Sequence, residues 1–170
     1  MAAENRKGQI VHVNTSSRSY DVHVVPGILD SCGDITRAST GGERVLIVSD
    51  TNVAPLYADR VRASLEKAGY ATGLFTFKAG EASKRAMTWA NCLEAIAKAG
   101  LTRDDVVVAL GGGVTGDLAG FAAASYMRGC SVVQIPTSLL AMVDSSVGGK
   151  TAVDLGHGKN LAGAFYQPRV

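Results

Sequence analysis

One segment of the chain gathers several residues that could bind an anion. Residues 143–160, VDSSVGGKTAVDLGHGKN, contain Lys150, Lys159, Asn160 and Asp144. Its Gly-Lys-Thr matches only the end of the ATPase phosphate-binding motif, in which successive backbone N–H groups wrap a phosphate. That motif needs a glycine where this chain has Asp144, and a carboxylate there would repel phosphate. The segment is therefore not a P-loop, and its cations need another explanation.

A glycine-rich segment upstream suggests a second kind of chemistry. Residues 111–117, GGGVTGD, place Gly111, Gly113 and Gly116 in a G-x-G-x-x-G pattern. Where a strand leads into a helix, such glycines let a pyrophosphate approach the backbone, and the helix N-terminus stabilises its charge. The acidic residue that usually binds ribose about twenty positions later is missing. A tight turn that packs a small-residue helix on the sheet explains the glycines equally well.

Polar residues also follow two other predicted strands. Asp50 and Asn52 come after the strand VLIVSD and could bind ribose hydroxyls, although Ser-Asp-Thr-Asn is equally suited to a helix-capping turn. Glu81 and Lys84 follow the next strand, where Ser83 could instead be the N-cap of a helix or the segment a solvated loop. Both segments therefore keep a structural and a functional interpretation.

Alternating strands and helices must position these residues. A hairpin is predicted over residues 10–25; strands are then predicted at 43–50, 72–80, 104–113 and 131–136, and helices at 52–70, 83–99 and 114–127. Several strands are apolar on both faces, which is typical of a parallel sheet covered by helices. The sequence thus predicts an α/β fold, a Rossmann-like mainly parallel sheet with helices on both faces, preceded by an N-terminal β-hairpin. In such sheets ligands bind at the carboxyl ends of the strands.

Composition limits the classes of function. The chain has 170 residues, of which 46% are hydrophobic, and its net charge of +2 is too small for a nucleic-acid or membrane surface. The N-terminus lacks an apolar signal region, and no apolar run approaches the roughly 18 residues of a membrane span. We therefore expect a cytoplasmic protein with no nucleic-acid or membrane partner.

Cysteine and histidine suggest no metal site in this chain. The cysteines form neither a C-x-x-C pair nor an even disulfide set, which favours buried, reduced thiols. The histidines are scattered, without the spacing of metal ligands. The residues concerned are Cys32, Cys92, Cys130, His12, His23 and His157.

Two long segments resemble the nucleotide-binding half of the 3-dehydroquinate synthase family, sugar-phosphate cyclases of the shikimate pathway. They are GGGVTGDLAGFAAASYMRG and QIPTSLLAMVDSSVGGKTAVDLGHGKNLAGAFYQP, and the similarity extends from about Val45 to Pro168. Glycerol dehydrogenases and iron-dependent alcohol dehydrogenases share a similar glycine loop but lack the MRG and VDSSVGGKT series. Other sugar-phosphate cyclases usually alter the SSVGGKT core. These enzymes, and a stand-alone non-catalytic nucleotide-binding module, are the alternatives.

The resemblance implies an enzyme with NAD as a catalytic cofactor. The family converts 3-deoxy-D-arabino-heptulosonate 7-phosphate, a sugar acid phosphate, to 3-dehydroquinate and phosphate. Residues 1–170 would be the N-terminal nucleotide-binding domain, and a helical C-terminal domain beyond Val170 would hold zinc or cobalt in the full-length parent. The arginine of MRG reaches the neighbouring subunit in the family, which implies a homodimer.

The resemblance also assigns site residues. Arg128, Lys150 and Asn160 match phosphate-binding positions, and Asp144 matches a carboxylate near the cofactor and the substrate hydroxyls. These four are the implied catalytic residues. The implied NAD contacts are Asp50, Asn52, Glu81, Lys84, Gly112, Gly113, Val114, Gly116, Asp117, Thr137, Ser138, Asp144, Lys150 and Lys159, with serine at position 138 where the family commonly has threonine.

The isolated chain should fold without being active. Its strands and helices can close a core unaided, but the family's metal ligands lie outside the sequence. We therefore expect no catalysis, no specific zinc, weak NAD binding if any, and a mobile loop at residues 143–160.

Overall fold

Strands and helices alternate along most of the molecule, whose computed structural model describes residues 8–170. The strands are β1 (Gln9–Asn14), β2 (Ser19–Val24), β3 (Arg44–Asp50), β4 (Ala71–Phe77), β5 (Val106–Gly111), β6 (Ser131–Pro136), β7 (Lys150–Leu155) and β8 (Gly158–Phe165). The α-helices are α1 (Cys32–Ser39), α2 (Ala54–Lys67), α3 (Ala86–Lys98) and α4 (Gly113–Ser125). Shorter helical segments cover Ile28–Ser31, Glu81–Ser83, Tyr126–Arg128 and the π-helix Ala141–Ser145.

The central sheet consists of four parallel strands in the order β4-β3-β5-β6. Val45 of β3 pairs with Thr72 on one side and with Val106 on the other, and Val106 pairs in turn with Ser131. The inner strands β3 and β5 are almost completely buried, as runs of apolar residues on both faces predict. The predicted sheet is confirmed.

Helices cover both faces of this sheet. One face, with Val45 and Ile47, packs against α1 and α2, while the other, with Leu46 and Val107, packs against α3 and α4. Residues alternate between the two faces because successive side chains of a strand point in opposite directions. The predicted placement of helices on both faces is confirmed.

Two antiparallel hairpins lie outside the central sheet. The first, β1 and β2, confirms the predicted N-terminal hairpin, and Tyr20 in it accepts a hydrogen bond at Oη from the backbone N–H of Gly148 at 3.0 Å. The second, β7 and β8, packs on α4, where Thr151 contacts Gly120. The interpretation of residues 143–160 as one loop was wrong, because alternating Thr151 and Val153 are buried against this helix.

One helix prediction needs correction, and one helix was missed. The helix predicted from Ser83 begins at Ala86, and Ser83 belongs to the preceding short 3₁₀ helix rather than capping α3. Helix α1 was not predicted.

Among the described residues, no helix is both long and apolar enough to cross a membrane. The three cysteines are buried and free, and burial raises the pKa of Cys92 and of Cys130 to about 12.

Candidate functional site

The glycine-rich segment lies at the carboxyl edge of the sheet, as predicted. Strand β5 ends at Gly111 and α4 begins at Gly113, so the chain turns from strand to helix within one residue. Gly111 is opposite Pro136 of β6, and the N–H of Thr137 donates to the carbonyl of Gly111 at 2.9 Å. Ser138 also lies beside this turn, because its Oγ would stand 3.5 Å from a Cβ at Gly112. Thr137 and Ser138 are therefore neighbours of the glycine loop.

Packing explains some of the loop glycines but not Gly112. A Cβ at Gly111 would stand 2.4 Å from Thr115 Oγ1, and one at Gly116 would stand 2.9 Å from Gln134 Oε1. These two glycines permit close contact between the end of β5 and α4 and between α4 and β6. Gly112 has an ordinary extended backbone, with φ −79° and ψ −169°, and a Cβ there would only touch Ser138. Its lack of a side chain instead leaves the approach to the helix N-terminus open.

The N-terminus of α4 offers unused hydrogen-bonding groups. No side chain of residues 8–170 caps it, and the first-turn N–H groups of a helix have no partner within the helix. The hydroxyls of Thr115 and Ser145 are buried nearby without a hydrogen-bond partner in the described chain. Ser145 Oγ would stand 3.1 Å from a Cβ at Gly113. These groups fit a pyrophosphate, which a helix N-terminus stabilises through its N–H groups and its dipole.

A buried lysine lies beside this helix N-terminus. Only 6% of Lys84 is exposed, its Nζ forms an ion pair with Asp117, and it donates to Asn160 Oδ1 at 2.6 Å. Burial raises the pKa of the Asp117 carboxyl above its ordinary value, and the ammonium of Lys84 opposes this shift. The negative charges of Glu81 and Asp144 add to the rise. The structure therefore joins three predicted site residues in one cluster.

Lys159 extends the cluster towards solvent. Its Nζ donates to Glu81 Oε1 at 3.0 Å, and both side chains are largely exposed. Such exposed pairs contribute about 0–1 kcal/mol. The contact therefore gives little stability and leaves both groups available to a ligand.

Asp50 has a structural role at the same edge of the sheet. Its Oδ1 accepts the N–H groups of Asn52 at 2.8 Å and of Val53 at 3.0 Å, directly before α2. These two bonds form a turn before α2, whose N-cap Val53 has no side-chain cap, so the helix-capping interpretation is not confirmed. Because Asp50 ends β3, which neighbours β5, the pair Asp50 and Asn52 lies at the carboxyl edge, on the same side as Gly111.

The remaining predicted residues do not join the cluster around Lys84. Lys150 is exposed at the start of β7, and Asp144 is exposed in the π-helix. Arg128 follows α4, at the opposite end of this helix from the glycine loop, about 20 Å away for 13 residues. Arg128 therefore cannot contact the glycine loop of its own chain.

Four residues at or near the site were missed by sequence reasoning. Thr115 and Ser145 have the buried hydroxyls, Asp154 accepts a hydrogen bond from Asn160, and Tyr20 contacts Gly148. Thr115 and Ser145 lie within quoted motifs, so their position was a usable signal. Contacts across the fold, such as that of Tyr20 with a residue 128 positions away, leave no local pattern in the sequence.

No metal centre is formed by the part of the chain that the structure describes. Residues 8–170 contain no group of three or more histidine, cysteine, aspartate and glutamate side chains placed to hold an ion. Catalytic zinc needs about three protein ligands. The residues present therefore do not fit a metal.

Comparisons with known proteins agree with the fold and the motifs. The model of the 3-dehydroquinate synthase N-terminal family matches residues 74–170. The 3-dehydroquinate synthase of Streptococcus sanguinis (strain SK36) is 51% identical over 158 residues, which cover 93% of this chain and 44% of that protein. The chain thus spans less than half the length of this relative.

Solved structures show the same architecture. A 2-deoxy-scyllo-inosose synthase complexed with carbaglucose-6-phosphate, NAD⁺ and Co²⁺ has a TM-score of 0.86 and 30% identity, covering 95% of this chain and 44% of that one. ValA, the 2-epi-5-epi-valiolone synthase of Streptomyces hygroscopicus subsp. jinggangensis 5008 with NAD⁺ and Zn²⁺ bound, has a TM-score of 0.79 and 33% identity, covering 92% and 43%. The glycine loop at the carboxyl edge, the sheet that carries it and the family match over residues 74–170 agree: the chain belongs to the 3-dehydroquinate synthase family.

Proposed function

We propose that this chain is the NAD-binding domain of a 3-dehydroquinate synthase. The full-length enzyme would convert 3-deoxy-D-arabino-heptulosonate 7-phosphate to 3-dehydroquinate and phosphate. The observation that carries the proposal is the cluster of Lys84, Asp117 and Asn160 beside the open N-terminus of α4. It brings a cation and an amide next to a glycine loop, as an enzyme that binds both a dinucleotide and a phosphate ester requires.

The glycine loop is assigned to the pyrophosphate of NAD. Gly112 and Gly113 would allow the pyrophosphate to reach the first-turn amides, and the hydroxyls of Thr115 and Ser145 would gain the partners they lack in the described chain. NAD, when bound, supplies an acceptor for the hydride of a substrate hydroxyl and later returns that hydride. The residues around the loop therefore bind and orient the dinucleotide.

The second hairpin is assigned to the substrate phosphate. It presents Lys150 at the start of β7 and Asn160 in β8, and Lys150 has no ion-pair partner among residues 8–170. Oxidation of a ring carbon acidifies its neighbour and permits elimination of phosphate, whose charge cations and amides stabilise. Lys150 and Asn160 would thus hold the leaving group.

Arg128 is assigned to the active site of a second subunit. It lies at the far end of α4 from the glycine loop, so it can contribute to a site of this kind only across a subunit interface. Asp144 remains assigned to the substrate hydroxyls near the cofactor, since its negative charge raises the pKa of Asp117. The proposed assembly is therefore a homodimer with shared active sites. The divalent metal would be bound by the region of the full-length enzyme that corresponds to the part of the relatives this chain does not span. The enzyme is also proposed to be cytoplasmic.

Another sugar-phosphate cyclase is the second candidate, because the structure of 2-deoxy-scyllo-inosose synthase is so similar. The greater identity to 3-dehydroquinate synthases favours the first. An assay of the full-length protein with NAD and Co²⁺ or Zn²⁺ separates them. Dehydroquinate and phosphate should form from 3-deoxy-D-arabino-heptulosonate 7-phosphate, whereas turnover of glucose 6-phosphate alone would reject the proposal.

Replacing Lys150 tests the phosphate assignment. In the full-length enzyme, Lys150→Ala should reduce kcat/KM for the heptulosonate phosphate by about 10- to 150-fold, because a charge-assisted contact worth about 1.5–3 kcal/mol is lost. The dissociation constant for NAD, measured by calorimetry, should change much less. Unchanged saturation and turnover by this variant would show that Lys150 does not bind the phosphate.

A further inference from the structure

Asp154 lies where two site-bearing segments meet. Its backbone N–H donates to the carbonyl of Lys84 at 2.8 Å, and its Oδ1 accepts the backbone N–H of Asn160 at 2.8 Å. An isolated bridge pairs Asp154 with Arg85 in a parallel sense. One residue therefore connects the backbone of the buried lysine with the backbone of the asparagine that this lysine contacts.

The hairpin is irregular at this residue. Val153 pairs with Ala162 and Leu155 pairs with Gly158, so the register shifts across Asp154. The single residue Asp154 of β7 lies opposite residues 159–161 of β8, so the bulge is in β8 and includes Asn160. The carboxylate of Asp154 faces this bulge and accepts a hydrogen bond from it.

Asn160 has a backbone conformation that needs support. Its φ is +57°, in the left-handed region that residues other than glycine rarely occupy. Asparagine tolerates this region better than most residues. The hydrogen bond from its N–H to the carboxylate of Asp154 is charge-assisted, and it holds the left-handed conformation in which Asn160 Oδ1 accepts from Lys84 Nζ.

From these contacts we propose that Asp154 is a positioning residue for the anion end of the site: it fixes the backbone of Asn160, so that its carboxamide stays beside Lys84. This inference rests on the proposed function, in which Asn160 binds the substrate phosphate. Asp154 acts through Asn160 and does not itself touch substrate, since a carboxylate near the leaving phosphate would repel it.

A double-mutant cycle in the full-length enzyme tests the proposal. Asp154→Ala should lower kcat/KM about tenfold, as expected when a group that makes a charge-assisted contact is misplaced. Asp154→Asn keeps an oxygen that can accept the Asn160 N–H and should retain activity to within about threefold. When Asn160→Ala is already present, adding Asp154→Ala should change kcat/KM by less than about twofold, because residues that act through one another are not additive. The exposed Asp104→Ala is the matched control and should leave kcat/KM unchanged.

Two kinetic results would overturn the proposal. One is an Asp154→Ala enzyme as active as the unmodified one. The other is an equal loss of kcat/KM with and without Asn160→Ala, since an independent effect on folding or on the substrate would then be responsible. Rescue of kcat/KM by Asp154→Asn would show that the hydrogen-bond acceptor is what positions Asn160. The Tm of each variant is the second control, because general destabilisation would lower it.

Amide exchange in the 170-residue chain gives a test that needs no activity. The N–H of Asn160 should exchange with solvent at least about tenfold faster in Asp154→Ala than in the unmodified chain, because an amide without a hydrogen bond loses its protection. Asp154→Asn should keep the protection. If the full-length enzyme does not make dehydroquinate, the proposed function fails, but this measurement still shows whether Asp154 accepts the hydrogen bond of the Asn160 N–H. Equal exchange rates in Asp154→Ala and the unmodified chain would refute the positioning role.

Discussion

At the scale of single residues, the site depends on a buried cation and a partly buried carboxylate that compensate each other. The side chains of Lys84 and Asp117 are 7% and 17% exposed, and they form an ion pair at the second turn of α4. Separating either from its partner would leave a charge in a poorly solvated place, which costs more than the pair contributes to stability. The pair therefore keeps a cation at the site, in a place where water screens its charge little.

Lys84→Met should strongly destabilise the chain at neutral pH. Removing one member of a buried pair costs about 3–5 kcal/mol. Burial already raises the pKa of Asp117, and without Lys84, which lowers it, this pKa should rise further. A carboxyl whose pKa is raised by folding favours the folded state at low pH and loses this contribution as pH rises above its unfolded value of about 3.9. Urea unfolding should therefore show a small deficit near pH 4 that grows towards pH 7.

The double variant Lys84→Met with Asp117→Asn is the control for this prediction. It removes both charges and should recover most of the lost free energy of unfolding, because no unpaired charge stays buried. A deficit of the same size at every pH in Lys84→Met, or no recovery in the double variant, would mean that the ion pair does not determine stability here.

The sequence indicates these residues by their types, but not which of them contact each other. Lys84 and Asp117 are 33 positions apart and Lys84 and Asn160 are 76 apart, so no local pattern connects them. The resemblance gave Lys84 as an NAD contact, and the structure joins it to Asp117 of the glycine-rich segment and to Asn160. Asp50 was also a candidate helix cap, but its carboxylate forms a turn before α2, which has no side-chain cap.

At the scale of elements, α4 connects the sheet with the second hairpin. Its small residues permit close packing on both sides, against Gln134 of β6 and against Thr151 of β7. A Cβ at Gly120 would stand 2.4 Å from Thr151 Cγ2. Because Gly120 has no side chain, the hairpin that carries Lys150 and Asn160 can pack closely on α4.

Gly120→Ala should destabilise the chain although alanine favours helices. Helix propensity alone would stabilise the variant by about 1 kcal/mol, but the added methyl overlaps Thr151, and overpacking of this kind costs about 1–3 kcal/mol. Thr151→Ser removes the overlapping methyl and keeps the hydroxyl that donates to the carbonyl of Ala164. Combined with Gly120→Ala, it should restore the free energy of unfolding in urea. A stabilised Gly120→Ala chain would disprove the close packing.

The elements that could be predicted are those with strong local signals. Apolar runs and helix-ending glycines predicted the parallel strands and the helices between them, because burial on both faces needs continuous apolar strands. The hairpin of β7 and β8 was taken for a loop, since its polar and glycine residues obscured the alternation of Thr151 and Val153. Helix α1 is only eight residues long and was missed for lack of a long periodic pattern.

At the scale of the whole molecule, the described chain has a four-stranded parallel sheet with the candidate site at one edge. The carboxyl edge of the sheet carries the loop and the cluster, but residues 8–170 contain no metal centre. Arg128 lies away from the site of its own chain. Under the proposed function, the 170 residues fold by themselves and catalysis requires a longer, dimeric enzyme.

The purified 170-residue chain should accordingly fold and remain inactive. With NAD and zinc or cobalt added, it should form no dehydroquinate, because no described residues polarise the substrate hydroxyl through a metal. Metal analysis should find less than stoichiometric zinc, and NAD should bind weakly if at all. Formation of dehydroquinate, or one tightly bound zinc per chain, would show that the site has been misplaced.

The most direct test of the central claim, that the glycine loop binds the pyrophosphate of NAD, is the affinity of the full-length protein for NAD after Gly112→Ala. A methyl at Gly112 fits the fold, since its backbone is extended and only Ser138 Oγ lies near, at 3.5 Å. The free energy of unfolding should therefore change by no more than about 0.5 kcal/mol, as for the control Gly156→Ala, where the added methyl meets open space. Calorimetry should show NAD binding weakened at least about tenfold, or 1.4 kcal/mol, by Gly112→Ala and unchanged by the control. Equal NAD affinity of the Gly112→Ala protein and the unmodified protein would contradict the account.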